Sequence, residues 1–464
     1  MGERRIAIKP FEMISILDYV GIQEVNEHGI VKVKGLIRAE NKEEYIRMAA
    51  GETWVQILAY DDNGNESILF NGVLTDFSIQ SAGNGCVMEL ILFTGTKLMD
   101  YKKHIKSFQK ESYTYKQTVE ICNESYSQSG VIMTEGKDSF LPGFVLQYEE
   151  TDWEFLKRIA SFHNTVIVPT CKVKGERYFF GLPDRKVMIE FDTEDYTVRQ
   201  EAEEYTRKSA GGINIGKADA VSYIVDSREF FELGDKVSFQ GMNLYVAKIQ
   251  TSWLGNELSH KYYLKTKNGL KVIKSYLDDI IGLSLFGTVI AVKDERVKVS
   301  IRDDENPQSG NRWFSYSTVY SSPDGAGWYC MPETGDTVRL YFPSEDETNA
   351  YVISAFQENQ GDGIRRNPDN KIWRNKKGKE IRITPDQILI TNNKGMFVEL
   401  SDRKGIKIVS DSSVSIKASD DICINSMNAG VELSASNSIV LRQGDTVMRM
   451  ADGISFNGAK INLQ

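Results

Sequence analysis

Side chains able to do chemistry are few in this sequence and widely spaced. The four histidines are His28, His104, His163 and His260. Ser–His–Asp or Cys–His partners meet only in a fold, so spacing alone does not exclude such a site. No local pattern favours one, and each histidine is read as structural; His163 follows a capped helix and should pack at its end. Gly211-Gly212-Ile213-Asn214-Ile215-Gly216-Lys217 has the glycine and lysine spacing of a phosphate-binding loop, but Ala218 stands where Ser or Thr should hold magnesium. A glycine-rich turn is the simpler reading. Asp303-Asp304-Glu305 and Glu345-Asp346-Glu347 offer oxygen ligands without an EF-hand pattern and read as solvated loops. Trp313, Tyr316, Tyr320, Trp328 and Tyr329 suggest a base-stacking platform, yet their surroundings are not basic. Core packing or a subunit contact suits them better. Cys86, Cys122, Cys171, Cys330 and Cys423 form no CxxC and read as buried free thiols of a protein made in the cytosol. No catalytic residue, cofactor or metal is expected.

A chain of 464 residues should hold about three domains. Its 41% apolar and 26% charged content is that of an ordinary soluble protein. A net charge of −9 argues against nucleic acid or an anionic membrane as the main partner. No apolar run reaches the ~18 residues of a membrane span. Met1-Gly2-Glu3-Arg4-Arg5 leads into a strand-like stretch and not an apolar signal core.

The element with the clearest pattern is 381–464. Apolar residues come there in pairs one residue apart: Val398/Leu400, Ile406/Ile408, Val414/Ile416, Ile422/Ile424, Val431/Leu433 and Ile439/Leu441. Weaker pairs follow at Met448/Met450, Ile454/Phe456 and Ile461/Leu463. Residues i and i+2 share one face of a strand. Polar runs such as Ser410-Asp411-Ser412-Ser413 and Ser436-Asn437-Ser438 read as corners. The period is about eight residues, the signature of a stacked, elongated β architecture. Eight residues reach about 26 Å at most, so each repeat supplies one short wall. A closed prism needs about three walls, from three repeats of one chain or from three intertwined chains. The thin, long needle made by three chains is preferred.

The rest of the chain is also mostly β. Ile30–Ile37 alternates, and Trp54–Tyr60 and Ser67–Phe70 flank a hairpin turn at Asp62-Asn63-Gly64-Asn65. A second hairpin is expected around Ala82-Gly83-Asn84-Gly85. Thr114 with Gln117 and Thr151 with Glu154 are capping boxes opening two helices. Tyr115, Val119, Cys122 and Tyr126 share one helical face; Phe155, Ile159 and Phe162 share another. Strands resume at 165–169, 223–225, 234–239 and 262–264, and a linker helix or turn is expected over 274–281. Residues 286–356 carry short strands joined by Gly/Asp turns and suit a small OB-type barrel. A polar stretch beginning at Glu358 links it to the repeats.

Three places resemble one family. Tyr148-Glu149-Glu150-Thr151-Asp152-Trp153-Glu154-Phe155-Leu156-Lys157-Arg158-Ile159-Ala160 resembles the hub motif of VgrG-type spike proteins. Thr151, Asp152, Trp153, Phe155 and Leu156 carry the match. Gly327-Trp328, Pro332 and Gly335-Asp336 resemble the strand pair of their OB domain, and the octads resemble their needle. The family includes type VI secretion VgrG proteins and the baseplate hubs and spikes of contractile phages, phage-tail-like bacteriocins and extracellular injection systems. The resemblance implies a mainly β chain in four parts. These are a β-barrel hub with two barrel-like units and a helical insert (1–280), an OB-fold domain (284–358), a linker (359–372) and a triple-stranded intertwined β-helical needle (373–464). The apolar pairs listed above, with Ile454 and Phe456, would form the trimer core.

It also implies a homotrimer seated on a hexameric inner-tube protein among baseplate proteins. Such a spike would be made in the bacterial cytoplasm, assembled into a particle and driven through a target membrane. A separate tip protein of the PAAR-repeat kind and an effector cargo would complete it. Cys423 is expected to fill a small apolar core position, and the needle is expected to be metal-free. The rival reading is a cell-wall or polysaccharide-degrading tail enzyme on a trimeric β-helix. It would need paired carboxylates in a groove, whereas most needle acids lie in corners. The gap between barrel and needle leaves no room for an inserted enzyme, and the chain stops inside the repeats.

Overall fold

The computed structural model describes residues 5–60, 64–82, 85–185, 189–190, 194–254, 257–357 and 363–460. The tips of both expected hairpins and residues 358–362 of the polar linker lie outside them. The chain forms two compact units, Met1–Glu358 and Asn359–Gln464.

In the first unit, alternating apolar residues build one large sheet. Among the described residues twelve strands join it. The path runs Arg5–Lys9, Trp54–Tyr60, Glu66–Ala82, Gly85–Thr94, Ile30–Ile37 and Ser15–Glu24, then Met242–Leu254, Glu257–Lys265, Val221–Ser227 and Tyr196–Gln200. Lys236–Phe239 and Ile189–Glu190 extend it from Met242–Leu254. The two halves come from sequence about 200 residues apart. They meet where Ser15–Glu24 pairs antiparallel with Met242–Leu254, Lys248 opposite Glu24 and Ser252 opposite Val20. Each half has its own core: Phe11, Val33, Ile57, Phe70 and Leu90 in one, Val237, Phe239, Val246, Ile249 and Tyr262 in the other. Inward residues alternate with outward ones: Cys86, Met88, Leu90, Leu92 and Thr94 are buried and the residues between them are half-buried.

Among the described residues the first unit has four α-helices: α1 (Lys42–Met48), α2 (Tyr115–Asn123), α3 (Asp152–Ser161) and α4 (Ala202–Ala210). Both expected capping boxes are formed. Thr114 Oγ1 accepts from Gln117 N at 3.2 Å, and Thr151 Oγ1 accepts from Glu154 N at 3.2 Å. Helices α2 and α3 bury Val119, Cys122, Phe155, Leu156 and Ile159 in a third core with Phe108 and Tyr178. The sequence reading missed α1 and α4. Each buries a single side chain, Tyr45 and Lys208 respectively, so neither carries an apolar stripe. Gly211 caps the C-terminus of α4, its N–H donating to Arg207 O. The stretch ends α4 at Gly211 and opens only a four-residue 3-10 turn, Lys217–Ala220, so it is not a phosphate cradle at the start of an α-helix. The expected linker at 274–281 is a short 3-10 turn, Asp278–Ile280.

Ser284–Lys293, Arg296–Ile301, Trp313–Ser317, Tyr351–Phe356 and Thr337–Tyr341 close a five-stranded barrel in that order. Trp313–Ser317, which the sequence reading did not assign as a strand, closes it by pairing parallel to Tyr351–Phe356. Its core holds Val289, Val299, Phe314, Val338, Leu340 and Val352, together with Phe144 and Leu146 from the hub.

The second unit differs from a uniform run of octads. Lys371–Arg374, Glu380–Thr384, Gln387–Thr391, Phe397–Ser401 and Gly405–Val409 form an antiparallel meander paired within the chain. Residues 410–438 belong to no strand; bends at 411–412, 419–420, 427–429 and 436–437 mark them about every eight residues. Ile439–Gln443, Thr446–Met450 and Ile454–Asn457 form a second meander. The pairs at i and i+2 fix which face a side chain takes but not whose strand lies beside it.

Candidate functional site: a charged junction and an apolar sheet face

The hub motif builds a junction with the barrel. Thr151 caps α3 and donates its hydroxyl to Asp100 Oδ1 at 2.7 Å. Asp152, fully buried, accepts from Lys106 Nζ at 2.9 Å, Gln147 Nε2 at 3.0 Å and Tyr126 OH at 2.9 Å. Three donors satisfy a carboxylate that would otherwise be costly to bury. Trp153 packs on the His28 ring and edge-on to Tyr178. Phe155 stacks on Phe108, with ring centroids 5.4 Å apart. The motif therefore positions a helix start and fills a core.

Arg158 extends the junction across to the barrel. Its Nε and one terminal nitrogen grip both Glu150 oxygens at 2.8 Å, and the other terminal nitrogen donates to Glu347 Oε1 at 2.6 Å. All three side chains are buried or nearly so. Burial opposes the Arg158 charge, but the two carboxylates outweigh it and raise its pKa. Burial pushes the Glu150 carboxyl up despite Arg158.

A second bridge runs parallel to this one. His104 Nδ1 lies 2.6 Å from Glu305 Oε2, and its Nε2 lies 3.4 Å from Asp152. Burial opposes the charge on Glu305, yet His104 and Lys102 hold its carboxyl below the usual range. Asp304 accepts from Ser107 N at 3.0 Å and from the Ser107 hydroxyl. The acidic runs thus correct the expectation of solvated loops in part: Glu347 is buried and Asp304 half-buried, whereas Asp303 and Glu305 are exposed, Glu305 being held by the buried His104. Glu347, Asp304 and Glu305 are the barrel's side of the joint, with partners about 190 to 200 positions away. Charge in a loop looks the same in sequence whether or not a distant cation covers it.

The barrel motif is a turn. Gly327 sits at φ +143, and a Cβ there would meet Tyr320 O at 2.4 Å. Gly335 N donates to Val289 O, and Asp336 O accepts from Val289 N. Asp336 Oδ2 also accepts from Glu333 N at 2.7 Å, which sets the entry to Thr337–Tyr341. Pro332 is buried beside this turn. Tyr320, Trp328 and Tyr329 are exposed in the single chain, so of the two roles expected for them, core packing or a subunit contact, core packing does not hold.

The other histidines sit in packing roles. His28 bonds Thr96 through Nδ1, and burial pulls its pKa down to about 4. His163 packs on Tyr115, and His260 Nδ1 meets Thr251 Oγ1. Cys86, Cys122 and Cys171 are buried free thiols, whereas Cys330 and Cys423 are exposed. Among the described residues no group of three or more His, Cys, Asp or Glu is placed to hold a metal. No helix there is long and apolar enough to cross a membrane.

The second unit contributes a surface. In the first meander Ile381 faces Ile390, Ile390 faces Val398, and Val398 faces Ile408. Ile383, Ile388, Leu400 and Ile406 form the next row of the same face. The reverse face is mixed, Arg382, Glu399 and Lys407 sharing it with Ile372 and Leu389. Most of the apolar face is open in a single chain, and Ile406 is 73% exposed. A groove of about 680 Å³ runs beside Trp373, Ile381, Ile390, Val398 and Ile408. In 410–438 the pairs Val414/Ile416, Ile422/Ile424 and Val431/Leu433 are all exposed, Ile416 by 71%. Ile439, Leu441, Ile454 and Phe456 lie in the second meander.

Known proteins share this architecture. The family model for the type VI secretion system/phage-baseplate injector OB domain matches residues 285–356. The E. coli c3393 protein is described as a type VI secretion component similar to the T4 bacteriophage tail proteins gp27 and gp5. It superposes with a TM-score of 0.54 at 13% identity, over 76% of this chain and 100% of its own. A lidless PdpA–VgrG complex gives a TM-score of 0.55 at 9% identity, over 85% of this chain and 93% of the other. The half-lidded Francisella complex gives 0.55 at 9%, over 87% of each. No curated protein sequence matches. The fold is that of a baseplate hub and spike, a mainly β chain with a closed OB barrel. Within that class its likeness is to the VgrG-type hub-spike fold, and its barrel matches the family model of the injector OB domain.

Proposed function

We propose that three copies of this chain form the hub and spike at the tip of the inner tube of a contractile injection machine, acting mechanically and not as an enzyme. The observation that carries this is the apolar face of the first meander, continued by octads without strand partners of their own. Residues 410–438 leave backbone donors and acceptors unpaired within one chain, a state that association with like segments relieves. Three copies around an axis would bury the faces against one another and leave Arg382, Glu399 and Lys407 outside.

The two halves of the hub sheet, each with its own core, support a ring of six similar units per trimer. Such a ring matches a hexameric tube without a symmetry gap. The Arg158–Glu347 and His104–Glu305 bridges would carry load from hub to barrel. The proposal includes baseplate contacts, a separate PAAR-like tip, cargo, and transient contact with a target membrane, with no role for nucleic acid. The PdpA–VgrG pairing supports a separately encoded partner for a fold of this kind. The needle core proposed is Val398, Leu400, Ile406, Ile408, Val414, Ile416, Ile422, Ile424, Val431, Leu433, Ile439, Leu441, Ile454 and Phe456. Light scattering on the purified chain tests the reading. A mass three times 52.5 kDa is expected; a monomer at micromolar concentration overturns it. Hydrolysis of peptidoglycan or capsule by the purified protein would overturn the mechanical role.

A further inference from the structure

The second meander poses a separate question. It pairs entirely within the chain, Ile439 with Met450, Leu441 with Met448, and Met450 with Ile454. The pairing places Ile439, Leu441, Met448, Met450, Ile454 and Phe456 on one face. Leu441, Ile454 and Phe456 are each more than half exposed. The reverse face is mixed: Arg442, Arg449, Ser455 and Asn457 share it with Val440 and Val447. An isolated three-stranded meander with one uncovered apolar face is marginal in water.

The segment before it cannot easily set its own alignment between chains. The step from Val414/Ile416 to Ile422/Ile424 is one octad, so a neighbour slipped by one octad still sets apolar pair against apolar pair. Only the longer step to Val431/Leu433 opposes that slip. The meander has no such freedom. Its register is set by the two-residue turn Gly444-Asp445 between Gln443 and Thr446, with Gly444 at φ +55.

We infer that the 439–457 meander is a trimer clamp, whose apolar face meets the same face of two further copies and fixes the register of 410–438. This rests on the trimer proposed above. Its occupant is a second and third copy of the chain, because the face continues the row of apolar pairs that the octads present. Once three clamps meet, each 410–438 segment is held at both ends, by the first meander and by the clamp. Closing it is then an intramolecular step at high effective concentration.

The test uses the full-length chain with Leu441→Glu and Phe456→Glu together, and Arg442→Glu with Arg449→Glu as the reverse-face control. Both changed apolar side chains are more than half exposed in the single chain, and far-UV circular dichroism of the variant checks that its strands still form. Mass is measured by light scattering, and cleavage at Lys417 by limited trypsin. We expect the control to behave as wild type. The apolar-face variant should either lose the trimer or keep it and be cut at Lys417 at least tenfold faster. A variant that stays trimeric and is cut within twofold of wild type overturns the clamp and leaves the trimer standing. A wild-type monomer overturns both together.

Discussion

Arg158 of the capped hub helix and Glu347 of the barrel meet at 2.6 Å, and both side chains are buried. The pair joins two parts of the chain that are 189 positions apart. Removing the arginine leaves Glu150 and Glu347 buried without their cation, which costs about 3 to 5 kcal/mol. Arg158→Ala should therefore lower the denaturant midpoint of the first unit sharply. Glu347→Gln alone should cost less, and the double-mutant cycle should give a coupling above about 1 kcal/mol. Additive effects would show that the bridge carries no energy of its own.

Much of this was legible in sequence, for a physical reason. Capping boxes are local, so Thr114 with Gln117 and Thr151 with Glu154 announced α2 and α3. Alternation gave the strands. The Arg158 bridge was not legible, because nothing near Glu347 marks it as buried. Helices α1 and α4 were missed for want of an apolar stripe. The two meanders of the second unit escaped notice because paired apolar positions look alike whether the adjacent strand belongs to the same chain or to another.

His28 supplies a pH dependence. Burial opposes its charge, so its pKa falls from 6.5 to about 4. Between those values the unfolded chain takes up a proton and the folded chain does not. Its contribution is fully present above pH 6.5 and is lost as pH falls towards 4, by on the order of 3 kcal/mol at most. Glu305, held below its usual range, adds a loss in the same direction at lower pH. Melting temperatures measured from pH 7.5 to 4.5 should fall, and His28→Gln should flatten the upper part of that slope. An unchanged slope in the variant would assign the pH dependence elsewhere.

The octads predict a contrast between faces. Ile416→Asp would bring three carboxylates together inside the proposed needle, costing several kcal/mol per ion. Asp420 lies at a bend and is exposed, so Asp420→Ala should change little. The trimer mass and melting temperature of the two variants measure the difference. Equal behaviour would place Ile416 outside the core.

Cys423 gives the sharpest check on facing. It lies between Ile422 and Ile424. In an extended segment neighbours point to opposite sides, so if both isoleucines face the axis the thiol faces out. On that reading Cys423 would not fill a core position, since its counterparts in neighbouring pairs are Ser415 and Glu432 and not Ile or Val. A maleimide should therefore label Cys423 in the assembled native protein. Cys86, Cys122 and Cys171, which are buried, should stay unlabelled until the chain is denatured. Cys330 is exposed in the single chain as well, so the experiment needs a Cys330→Ser background. In that background Ile422→Cys adds the complementary probe, and its thiol should resist labelling while Cys423 reacts. Labelling of the added thiol with protection of Cys423 would reverse the assignment of faces along the needle.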